Sequence, residues 1–132
     1  MFEMELVIRL LVSVTLGLMI GIERELAHKP AGLRTHALVS LGACLFTIIS
    51  TSYFLVDPAR IASGIVLGVG FIGAGCIMAT RGHLQGITTA ATLWATAAIG
   101  LAVGTRNYLI ALVTAILVVL ILQLKKIEKS IE

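Results

Sequence analysis

The sequence predicts an all-α integral membrane protein, a bundle of about five transmembrane helices. Three observations predict it. The chain is 58% hydrophobic and only 13% charged, with a mean hydropathy of +1.05, whereas soluble domains are nearer half apolar and a quarter charged. The apolar residues gather into five runs, each near the ~20 residues a helix needs to cross a bilayer core. The charged residues fall almost entirely between the runs or at their ends.

The five runs are Met4–Ile22, His36–Val56, Ile61–Ala79, Ile87–Val103 and Tyr108–Leu124. In lipid a helix satisfies every backbone group within its own segment, so each run is expected to be helical. The first is read as a span and not as a cleaved leader. It lacks a basic start, because Glu3 and Glu5 precede Arg9, and it ends in Glu23-Arg24-Glu25. Pro30 and Gly32 stop any helix continuing out of it. Asp57-Pro58 reads as an N-cap followed by proline at the first helical position, so the third helix should begin there. Gly86 or Thr88 can start the fourth. Gly104-Thr105-Arg106-Asn107 reads as a tight polar turn joining the fourth and fifth as a hairpin. Residues 1–124 therefore form the membrane domain and residues 125–132 a short basic tail.

Lysine and arginine set the orientation. With five spans, the first connector, the third connector and the tail share one face and hold Arg24, Lys29, Arg34, Arg81, Lys125, Lys126 and Lys129. The other face holds Arg9, Arg60 and Arg106. The richer face is expected to be cytoplasmic, with the N-terminus outside and the C-terminus inside. The net charge of +3 is dispersed over segment ends, which argues against a nucleic-acid partner and for the lipid bilayer. Tyr108 suits an interfacial anchor, and Trp94, deeper in its span, packs between helices or faces lipid. Cys44 and Cys76 lie within apolar runs and read as small hydrophobes.

Small residues indicate how the spans pack. Gly17/Gly21, Gly64/Gly68 and Gly100/Gly104 are small-xxx-small pairs, and Thr88, Thr92, Thr96, Gly100 and Gly104 form a stripe at spacing four. Such faces let helix backbones approach closely where lipid removes any hydrophobic drive to associate. The third span adds Gly70, Gly73 and Gly75, and is expected at the centre of the bundle or in a homo-oligomer interface.

Candidate chemistry is sparse. Gly68-Val69-Gly70-Phe71-Ile72-Gly73 matches a dinucleotide fingerprint, but mid-span and without the strand and following acid that the motif needs. Arg9 is the one charge inside a span. Glu5 precedes it at helical spacing, and snorkelling to the outer interface accounts for it. No Asp or Glu lies near the middle of a span, where a proton- or cation-coupled carrier would want one. The hydroxyls of the second and fourth spans serve helix–helix hydrogen bonding as readily as a path. Glu23, Glu25 and Asp57 could offer oxygens to Mg²⁺, yet Asp57 falls on the opposite face. His28, His36 and His83 share one face at irregular spacing. Glu23 ends the first span and wants Arg24 or Arg34 nearby, and Glu25 can pair with Lys29 if the helix continues. The connector is thus either an anchor to anionic lipid or a Glu–Arg network reaching the third connector around Arg81 and His83. No nucleophile–base pair stands out, so an enzyme is not expected.

Several motifs taken together resemble the membrane domain of the MgtC/SapB family. They are Gly21-Ile22-Glu23-Arg24-Glu25, Lys29-Pro30-Ala31-Gly32-Leu33-Arg34-Thr35-His36, Asp57-Pro58-Ala59-Arg60-Ile61, the glycine run 68–75, and Gly86-Ile87-Thr88-Thr89-Ala90-Ala91-Thr92-Leu93-Trp94. The resemblance covers about residues 9–105. It implies a bacterial inner-membrane protein with a role in magnesium limitation or virulence. Members of that family are described as magnesium transporters or as regulators of membrane partners such as the F-type ATP synthase. The resemblance makes Glu23, Arg24 and Arg34 the leading functional residues, with Thr35, Asp57, Arg60, Thr88 and Thr89 in the same motifs. No cofactor is expected beyond Mg²⁺ itself. Longer members carry a soluble ACT-like C-terminal domain, where this sequence has only residues 125–132 after its last span.

Overall fold

The computed structural model describes residues 1–80 and 82–132. The elements run α1 (Phe2–Leu26), α2 (Leu33–Tyr53), α3 (Pro58–Gly75), β1 (Met78–Thr80), β2 (His83–Gln85), α4 (Ile87–Gly104), α5 (Tyr108–Leu122) and α6 (Lys125–Ile131). Among the described residues, five helices are long and apolar enough to cross a membrane, the fifth counted through α6. The charged connector is shorter than its sequence suggests, because α1 carries Glu23, Arg24 and Glu25 within its last turns. Helix α3 starts at Pro58 as expected, but the Asp57 side chain makes no cap hydrogen bond. It stops at Gly75, and β1 and β2 form a small antiparallel hairpin where the third span was expected to continue.

Helices α1, α2 and α4 form the centre, with α3 laid against α2 and α4 and α5 against α4 and α1. Glycine decides this. A Cβ on Gly17 would lie 2.7 Å from the His36 carbonyl oxygen, and one on Gly104 would lie 2.6 Å from Thr47 Cβ. Gly100 packs on the Ser40 backbone in the same way. These contacts join α1 to α2 and α2 to α4 at backbone distance, as small-residue faces allow. The apolar core between them comprises Leu16, Ile20, Cys44, Ile48, Ile99 and Val103, covered by Ala111 and Ala115 of α5.

Three expectations change. Helix α3 is peripheral and not central: only Val69 and Gly73 are buried on it, and Gly64, Gly68, Gly70 and Gly75 face open space. The glycines of the other helices have already taken the close-packed positions. The stripe on α4 buries Thr92, Thr96, Gly100 and Gly104 but leaves Thr88 exposed, with Thr89 buried instead. Spacing four advances about 40° per step on a 3.6-residue helix, so a long stripe winds off its face. Arg9 does not snorkel outward. It is 4% exposed and turned into the bundle, where the end of α4 and Glu5 supply acceptors. Trp94 points outward and is exposed, so it faces lipid in a membrane.

Candidate functional site

The candidate residues gather at the α1–α2 connector. Glu23 Oε2 accepts a 2.7 Å hydrogen bond from Arg24 Nε. The Arg24 side chain is 2% exposed, and its second contact group, one terminal nitrogen, has no partner among the described residues. A cation in the last turn of a helix offsets the dipole there, so this ion pair closes α1 internally and does not use Arg34. Glu25 does not pair with Lys29. Its carboxylate accepts from the Leu33 backbone N–H at 3.1 Å and caps the start of α2. Gly32 belongs to this arrangement, since a Cβ there would collide with the Glu25 carboxylate.

Arg34 is exposed and Thr35 half-buried in the first turn of α2. Behind them His36 is fully buried. Its Nδ1 lies 2.9 Å from the Gly32 carbonyl, which can only accept, so Nδ1 carries the proton and donates. Its Nε2 lies 3.1 Å from Thr92 Oγ1, whose hydroxyl lies 2.7 Å from the Thr89 carbonyl. His36 thus links α2 to α4 and closes the connector from within. The sequence placed it with His28 and His83 at one membrane face. The signal that could have separated it is its spacing: His36, Ser40 and Thr47 fall on the face of α2 that also buries Ala43 and Cys44.

The remaining candidates do not join this group. Asp57 and Arg60 sit at the start of α3, 4.0 Å apart and both exposed. Thr88 is exposed and Thr89 buried at the start of α4. The first and third connectors do meet, around a cavity lined by His28, Lys29, Cys76, Gln85, Gly86 and Thr89. The network expected around Arg81 falls in part outside the described residues, and His83 is exposed on β2. Lys29 lies beside Lys125, and side-chain contact with that lysine, followed by partial burial and like-charge repulsion, holds its ammonium below the usual lysine pKa. Among the described residues, no three His, Cys, Asp or Glu side chains are grouped as metal ligands.

The MgtC family model matches residues 10–130. The chain belongs to the MgtC family. This MgtC-family chain is 41% identical over 128 residues to "Putative magnesium transporter YhiD" of Escherichia coli K12, covering 90% of the chain and 60% of that protein. It is 43% identical over 112 residues to "Protein MgtC" of Salmonella typhimurium LT2, covering 85% of the chain and 48% of that protein. An uncharacterized protein of Haemophilus influenzae is 34% identical over 127 residues, covering 88% and 53%. The chain thus spans about half to three-fifths of the length of these relatives. No solved structure matches it.

Proposed function

We propose that this chain is a non-enzymatic regulator in a bacterial inner membrane, linked to magnesium limitation or virulence and acting through helix–helix contacts. One observation carries the reading. A groove of about 720 Å³ opens between α2 and α3, lined by Gly42, Gly64 and Gly68 together with Leu38, Phe46 and Ile72. None of the three glycines has a neighbour within reach of a Cβ. In lipid such a face suits the close approach of another helix backbone. A second copy of the chain is the occupant we favour, and a larger membrane assembly such as the F-type ATP synthase would engage the same face. The bundle lies with its N-terminus outside and its C-terminus cytoplasmic, which puts Lys29 and Lys125 with the cytoplasmic lysines and arginines.

The name of the Escherichia coli relative favours a second reading, an oligomeric magnesium permease with Mg²⁺ as cargo. Purified protein in liposomes separates the two. A regulator shows no saturable magnesium flux, and Gly68→Cys cross-links copies through α3. Saturable flux that Glu23→Ala abolishes would sink the regulator reading.

A further inference from the structure

A cavity of about 440 Å³ lies at the other end of the bundle from the α1–α2 connector. The start of α1, the end of α2 and the turn between α4 and α5 enclose it, through Phe2, Arg9, Ser52, Tyr53, Thr105 and Arg106. Arg9 is the unusual member. It is 4% exposed although it belongs to an apolar span. A charge buried in a membrane helix is costly and is kept where a partner or a ligand meets it. Its guanidinium has five N–H donors. One terminal nitrogen donates to the Gly104 carbonyl and the other to Glu5. The third nitrogen, Nε, is buried and has no partner among the described residues. Buried donors are rarely left in that state.

Arg106 supplies a second guanidinium. Its backbone N–H bonds to Val103 O and that of Asn107 to Ala102 O, the pattern that closes a helix on a left-handed residue. Glycine usually fills that position, and here it is Arg106 at φ +68°. From it the side chain reaches Glu5 at 2.7 Å. Two arginines thus share one carboxylate, which leaves one positive charge unmatched at the cavity. Of the other carboxylates at this end, Glu3 is exposed in the first turn of α1 and Asp57 lies 4.0 Å from Arg60. The last four carbonyls of α4, Leu101 to Gly104, all accept hydrogen bonds, so none calls for a cation in the cavity.

Three spans end at this level, α1 at Phe2, α2 at Tyr53 and α4 at Gly104. The cavity therefore stands at headgroup depth in a bilayer. Phe2 and Tyr53 are exposed beside it, and tyrosine suits that depth. A phosphodiester at the same depth carries one negative charge, which matches the surplus.

We propose that this cavity holds the phosphate of a phospholipid headgroup, with Arg9 and Arg106 donating to its oxygens. The proposal rests on neither the regulator nor the permease reading, since α3 does not line the cavity.

The test uses the full chain, stripped of lipid in a non-ionic detergent. It is titrated with dioleoylphosphatidylethanolamine, with dioleoylphosphatidylglycerol, and with dioleoylglycerol, which has the same chains and no phosphate. Native mass spectrometry counts the lipid retained. Either phospholipid should be retained saturably and dioleoylglycerol should not. Arg106→Gly suits the left-handed backbone, so the lipid-free protein should melt no lower than the parent, while phospholipid retention weakens about tenfold. Arg106→Lys keeps the charge and should recover most of it. Arg60→Gln removes an arginine at the same end but outside the cavity, and should bind as the parent does. Arg9→Met should also lose retention; should it fail to fold, Arg106→Gly decides alone. Equal retention of dioleoylglycerol, or unchanged retention in Arg106→Gly, overturns the proposal. So does saturable thermal stabilisation by inorganic phosphate over matched chloride, which would assign the cavity to a soluble anion.

Discussion

Arg9 Nη1 donates to the carbonyl oxygen of Gly104 at 3.0 Å, joining the start of α1 to the end of α4 across 95 residues. The Arg9 Nη2 group reaches Glu5 Oε1 at 3.1 Å, and Arg106 Nε reaches the same oxygen at 2.7 Å. A cation at the end of α4 offsets the dipole of that helix. Arg9→Met keeps the bulk and removes both hydrogen bonds, leaving the Gly104 carbonyl unpaired. The expected loss is about 1–3 kcal/mol of stability. Unfolding in detergent measures it, and an unchanged midpoint would show that Arg9 is an outward anchor after all.

The glycines divide into two sets with opposite outcomes. Gly17 and Gly104 sit against the backbone or side chains of α2, so Gly17→Leu and Gly104→Leu should prevent the fold. Gly64 and Gly68 face open space, so Gly64→Leu and Gly68→Leu should leave helicity and monomer stability within experimental error. Those two should instead lower the mass of the purified assembly, as light scattering would read it. Loss of monomer fold in Gly68→Leu would place α3 inside the bundle.

Lys29 gives a pH dependence of determinable sign. Its folded pKa is lowered from 10.5, chiefly by Lys125. Between the lowered value and 10.5 the unfolded chain binds more protons, so stability rises with pH in that window. The effect is small because the group is largely solvated. Lys125→Gln should flatten the slope, which thermal unfolding across the alkaline range can follow.

Arg34 is exposed in the first turn of α2. An Arg34→Cys variant, with Cys44 and Cys76 replaced by serine, should react with an impermeant maleimide only from the cytoplasmic side. Labelling of intact cells from outside would invert the proposed orientation.

Much of this was legible in the chain itself. The starts of α3, α4 and α5 fall where Asp57-Pro58, Gly86 and Arg106-Asn107 interrupt the apolar runs, because turn chemistry is local. The end of α3 was not legible. Residues 76–79 are apolar enough to extend a span, and pairing of Met78 with Gln85 takes that segment into a hairpin. The polar site was half legible. Glu23 and Arg24 are adjacent in sequence and pair directly, whereas His36 meets Thr92 only because α2 and α4 touch.

The sequence by itself determined the membrane class, five spans and most of their boundaries. These follow from a local requirement, since each helix in lipid must satisfy its own backbone within one long apolar run. Only the tertiary structure decided which faces meet. In lipid the outward face is as apolar as the core, so hydrophobic periodicity carries no record of burial. The chain offers small-residue faces on α1, α3 and α4 alike, and packing against α2 uses those of α1 and α4 and leaves the glycines of α3 open. That choice turns Arg9 and His36 inward and leaves the α4 N-terminus facing Lys29 across a cavity.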